Sequence, residues 1–112
     1  MSQAKWVDQQ NVEPEPFPDR YSMDLIGTEH IPTSSGFSLG VAYYTAKEFG
    51  EPQVHEDQEA VYVVSGVGEL RMGGELVALK PGVAVSVPPG TPHGGRRTGA
   101  EPVMVVYAHG AV

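Results

Sequence analysis

The chain has 112 residues, with 7 Lys plus Arg against 14 Asp plus Glu, for a formal net charge of −7. This length excludes two independent cores, because each half would bury too little surface, and 40% apolar with 19% charged residues excludes a disordered chain. No basic run exists, which argues against a phosphate-tracking nucleic-acid surface, and zero cysteines exclude disulfides, thiolate ligands and a Cys nucleophile.

The segment 1–20 stands apart. From Asn11 to Arg20 it alternates Pro with acids, a pattern incompatible with a helix. It is expected to be an extended arm. Two readings stay open: a disordered tail, or an arm laid across its own domain or a partner subunit and anchored by Trp6, Phe17 and Tyr21. Met1–Gln10 lacks the apolar stretch of a secretory signal, and no run approaches the ~20 apolar residues of a membrane span. A cytoplasmic protein with no membrane partner is the expectation.

The segment 21–112 is expected to form one domain. Short apolar runs predict strands at Tyr21–Ile26, Phe37–Thr45, Gln53–His55, Ala60–Ser65, Glu69–Met72, Glu75–Leu79, Val83–Pro88 and Val103–Ala108. Gly- and Pro-rich turns separate them, and Gly73-Gly74 reads as a two-residue hairpin. Thr45–Glu48 is the one place for a turn of helix. Many short strands with regular turns predict an all-β sandwich or barrel.

Four side chains carry the chemistry. Gln53 and His55 are two apart and share one face of an extended segment. Glu59 opens the next apolar run, and His93 follows the tight turn Pro88-Pro89-Gly90-Thr91-Pro92. His55, Glu59 and His93 make two imidazoles and one carboxylate, the donor set of a facial triad that holds a divalent first-row metal and leaves positions open. Gln53 adds a neutral oxygen as a fourth, weaker donor. Iron, manganese, nickel, cobalt and zinc all suit these donors. In a rival register, His55 and Asp57 form the ligand pair; the preferred one treats Asp57 as a turn residue. His30 and His109 are read as surface or hydrogen-bonded histidines, His109 at a fraying C-terminus.

Strand parity sketches the surroundings. If Glu59 points inward, so do Val61 and Val63, and Tyr62 points out. Val83, Val85 and Val87 form one apolar face, and Val103, Val105 and Tyr107 another. Tyr107, Tyr43 and Arg97 are candidate substrate contacts, Arg97 because it follows His93 closely and suits a carboxylate.

The spacing Glu59-Ala60-Val61-Tyr62-Val63-Val64-Ser65-Gly66, with His55 and Gln53 upstream, resembles the first motif of the cupin superfamily. Gly82 followed by Pro88-Pro89-Gly90-Thr91-Pro92-His93 resembles the second motif in register. Three positions depart from the pattern: Gln53 stands at the first His, Lys47 at the leading Gly, and Arg97 at the final Asn. The resemblance covers about 37–108. It implies a single-domain jelly-roll β-barrel carrying one divalent transition metal on Gln53, His55, Glu59 and His93. It also implies a homodimer acting on a small molecule, with oxygenase, isomerase or lyase chemistry in which Glu59 doubles as a base. The alternative is a non-catalytic small-molecule or metal-binding module.

Overall fold

The apolar runs pair into two antiparallel sheets in a computed structural model, which describes residues 5–112. Residues 1–4 of the expected arm, and that part of the reading of Met1–Gln10, lie outside the described residues. The larger sheet takes its strands in the order β1 (Glu15–Pro16), β2 (Arg20–Ile26), β3 (Ser38–Tyr44), β9 (Val103–Gly110), β4 (Gln58–Ser65) and β7 (Ala84–Val87). The smaller runs β6 (Glu75–Leu79), β5 (Gly68–Met72) and β8 (His93–Arg97). This is the jelly-roll arrangement of an all-β domain. Among the described residues, no helix is long and apolar enough to cross a membrane.

Alternation builds the core. Val61 and Val63 of β4, Val85 and Val87 of β7, and Val103 and Val105 of β9 are all buried, while Tyr62 between the first two is half exposed. Leu70 and Leu79 face them from the smaller sheet. Each fully buried Val or Leu contributes roughly 1.5–3 kcal/mol by leaving water.

Several elements differ from those expected. Gln53–His55 is reduced to one bridge, Gln53 with His93. Thr45–Glu48 forms no helical turn; the helical turn described is a 3-10 one at Gln9–Asn11, where the Asp8 side chain accepts from the Gln10 amide at 2.9 Å. The arm joins the fold at β1, where Glu15 pairs with Ser22. Strand β8 was not expected, because its sequence His-Gly-Gly-Arg-Arg has no apolar residue. Gly95 explains this: any side chain there would collide with the ring of Tyr44, which fills the space instead.

Candidate metal centre

The register of β4 against β9 sets Glu59 directly opposite His109. Both residues lie on the inward face, one step beyond the apolar core. His93 enters from the smaller sheet. It follows a turn in which Gly90 takes φ 71°, a left-handed conformation that favours glycine. Gln53 and His93 exchange backbone hydrogen bonds of 2.8 and 3.0 Å, and the Gly90 amide donates to the His55 carbonyl at 2.8 Å. These bonds tie the loop bearing His55 to the turn that aims His93.

Three imidazole Nε2 atoms converge on one carboxylate. Glu59 Oε1 lies 2.9 Å from His55 Nε2 and 3.1 Å from His93 Nε2, and Oε2 lies 3.7 Å from His109 Nε2. The His55 ring stands 4.8 Å from that of His93 and 4.8 Å from that of His109. One ligand atom from each of His55, Glu59 and His109 falls within 4.8 Å of the others.

The far sides of the rings are held as well. His93 Nδ1 lies 2.8 Å from the Thr91 carbonyl, which can only accept, so this nitrogen carries the proton. His109 Nδ1 lies 3.1 Å from Asp57 Oδ2. His55 Nδ1 lies 2.5 Å from Asp57 Oδ1. That contact is off the hydrogen-bond direction, and Asp57 Oδ1 is buried without a hydrogen-bond partner. With protons on Nδ1, neutral rings turn three Nε2 lone pairs towards an anionic oxygen. Such an arrangement repels itself unless a cation sits within it. Protons supply part of that charge. Burial disfavours the charged form of each group, but at His93 the Glu59 hydrogen bond and the Thr91 carbonyl prevail and raise its pKa. Burial would raise the pKa of Glu59, yet the hydrogen bond from His93 and the charges of three histidines hold it below the usual carboxylate range. A divalent metal answers the same need, and this donor set fits one.

The residues singled out in the sequence divide in three. His55, Glu59 and His93 come together, and Gln53 joins Glu59 and His109 on the wall of a cavity of about 210 Å³. Tyr107 also lines it and donates its hydroxyl proton to Asp24 at 2.6 Å. Tyr43 and Arg97 fall elsewhere. Tyr43 stacks on Tyr21, ring centroids 4.8 Å apart, and the inward tyrosine is its neighbour Tyr44. The Arg97 guanidinium donates to the carbonyls of Thr45 at 2.7 Å and Gly99 at 2.8 Å, which gives it a structural role.

His109 is hydrogen-bonded, as one of its two readings had it, but its place at a fraying C-terminus is corrected: it lies inside β9. The signal was the alternation Val103, Val105, Tyr107, which puts His109 on the same face one step further. Asp57 does sit in a bend, but its carboxylate stands behind two of the rings instead of pointing into the site. Arg20, which also lines the cavity, was not singled out. A larger groove of about 510 Å³ opens between the arm and β2, around Trp6, Val12, Leu25 and Ile31. It contains none of the converging groups, so the smaller cavity is the one placed for chemistry.

Comparison with known proteins agrees with this architecture. A family model described as the cupin domain matches residues 41–109. An RmlC-like cupin from Shewanella frigidimarina is 15% identical, with a TM-score of 0.76 over 98% of this chain and 93% of its own. The polyketide cyclase RemF from Streptomyces resistomycificus is 20% identical, with a TM-score of 0.78 over 98% of this chain and 81% of its own. An oxalate decarboxylase of Bacillus subtilis is 13% identical, with a TM-score of 0.81 over 99% of this chain but 30% of its own. No curated protein sequence matches. At these identities the structural likenesses establish the fold, and the motif-bearing stretch matched by the family model is more than half of the chain: it belongs to the cupin family.

Proposed function

We propose that this cupin is a metal-dependent enzyme acting on a small polar metabolite, with His55, Glu59, His93 and His109 as the ligands. The observation that carries the reading is the convergence of three Nε2 atoms on Glu59 at the wall of a small cavity. A divalent metal bound there would polarise substrate oxygens as a Lewis acid. Gln53 adds a neutral oxygen or amide at the wall and serves substrate as readily as metal.

The other wall residues suit orientation of the substrate. Arg20 is the one Lys or Arg on the wall, and its side chain is 16% exposed. Asp19 accepts from its Nη1 at 2.8 Å, and the ring of Phe17 stacks at 4.0 Å. A guanidinium has five N–H donors, so the rest remain for an anionic group of the substrate. Tyr107 is partly buried beside Asp24, and both circumstances raise its pKa. It therefore keeps its proton, which it gives to Asp24, and its oxygen is left to accept a hydrogen bond from substrate. Glu59, held ionised below the usual range, is a poor base, and Tyr107 serves as a fixed hydrogen-bonding group and not as a proton carrier.

The test is elemental analysis and metal titration of the purified chain. One divalent metal per chain is expected, with binding lost in Glu59→Ala and His93→Ala. A chain that takes up no metal, or takes it up equally well without Glu59, would remove the reading. The second reading, a binding module without turnover, draws on the cavity's small volume. Tight binding of a small carboxylate to the metal-loaded chain, with no product on long incubation, would favour it.

A further inference from the structure

The Pro-rich stretch of the arm forms part of the cavity that holds the metal centre. Prolines alternate with other residues through Pro14-Glu15-Pro16-Phe17-Pro18. Each proline ring fixes φ, so the stretch has little conformational freedom left to lose when it is held extended. In an extended chain, residues two apart share a face. Glu15 and Phe17 therefore point one way and the prolines the other. Their face is the inward one: Glu15 stands directly opposite Ser22, and Glu15, Phe17, Arg20, Ser22 and Asp24 all line the cavity of about 210 Å³. The turn of this hairpin is pinned. The Phe17 amide donates to the Arg20 carbonyl at 2.8 Å, and the carbonyl of buried Asp19 accepts from the amides of Thr45 at 3.1 Å and Ala46 at 3.3 Å.

The carboxylates of the cavity wall differ in what answers them. Glu59 faces three histidines, and Asp24 accepts from Tyr107 at 2.6 Å. Arg20 donates to Asp19 and not to Glu15. Among the described residues, the Glu15 side chain takes part in no hydrogen bond or ion pair, although it lines the cavity. Two groups of opposite charge are thus left for a ligand: the Glu15 carboxylate and the spare N–H donors of Arg20. Arg20 is two residues from Ser22, which makes it the diagonal neighbour of Glu15, with Cα atoms on the order of 7–8 Å apart.

We infer that Glu15 is a specificity-determining residue of this cavity, and that it selects a short amino carboxylate. The ammonium group of the ligand meets Glu15 and its carboxylate meets Arg20. A dicarboxylate would set an anion against Glu15, and an uncharged sugar would leave both charges unanswered, so the same pair rejects other small polar molecules. The stiffness contributed by the prolines matters here, because a carboxylate already held in place loses less freedom when it binds. This rests on the cavity's being the substrate site, as proposed above, but on no metal ligand, since neither Glu15 nor Arg20 belongs to that set.

Titration of the full chain followed by NMR, with and without added zinc, tests this. The probes are glycine, β-alanine and γ-aminobutyrate, each beside its amine-free counterpart acetate, propionate or butyrate. Near neutral pH the best amino form should bind about tenfold more tightly than its counterpart, as read from the amide shifts of residues 20–24. Glu15→Gln, at an exposed position, should bring the two series together and leave binding of the amine-free acids unchanged to within about twofold. Arg20→Gln should weaken both series. Failure to take up zinc with the amino preference intact would remove the metal centre and support the role of Glu15. Zinc bound with the two series equal would overturn that role and leave the metal centre standing. A preference that survives Glu15→Gln, or probes that leave these amides unmoved, would overturn it as well.

Discussion

The two faces of the larger sheet come from the same strands and do different work. Val63 and Val64 are neighbours in β4, the first fully buried and the second 43% exposed. Along β9 the inward positions run Val103, Val105, Tyr107 and His109, passing from core to chemistry within one strand. The outward positions Met104, Val106 and Ala108 stay uncharged throughout. A pleat of period two lets one strand carry a core and a site on one side and an uncharged outer surface on the other, since the two sides draw on different residues of the alternation.

The sharpest way to break the comparison is to place one charge on each face. Val63→Asp buries a carboxylate among valines without a partner and should cost on the order of 3–5 kcal/mol. That is much of the roughly 5–15 kcal/mol available to a small domain. Val64→Asp, on the exposed side, should cost less than about 1 kcal/mol. Urea unfolding measures both. Equal losses would mean that the outward face is as enclosed as the inward one.

The inward face can be probed along its length as well. His109→Ala removes an imidazole from the converging set and should weaken metal binding more than Asp57→Asn, for which a loss of about 10–100-fold is expected. His30→Ala, in an exposed loop, should change nothing. Competition against a chelator gives the three values. If His109→Ala binds as tightly as the unsubstituted chain, the centre consists of His55, Glu59 and His93 alone.

Motif spacing made most of this site legible, and parity could have supplied the rest. His55, Glu59 and His93 are fixed by turns of set length, so their convergence can be read by counting. His109 lies in no such spacing; it is reached only by following β9 to its end and then asking what stands across from Glu59. Its place three residues from the last, Gly110-Ala111-Val112 following, suggests fraying unless the pairing with β4 is known. Strand β8 escaped notice for a different reason. Its inward space is filled by Tyr44, a residue of another strand, so Gly95 leaves no apolar signal of its own. Tyr43 and Tyr44 show the cost of a one-residue choice: adjacent tyrosines must face opposite ways, and only the register against β9 decides which one lines the cavity.

Tyr44 also gives the inward face a pH signature. Burial, and after it the negative charge of Glu59, raises its pKa above the ordinary value of 10.0. The folded state therefore favours the neutral phenol. That contribution is fully present below about pH 10, and is lost as pH rises from there towards the folded-state pKa. Tyr44→Phe removes the titration. The variant should unfold at nearly the same urea concentration as the parent at pH 8 and at a higher one at pH 11. A constant difference across both pH values would show that the phenol ionises as easily in the fold as out of it.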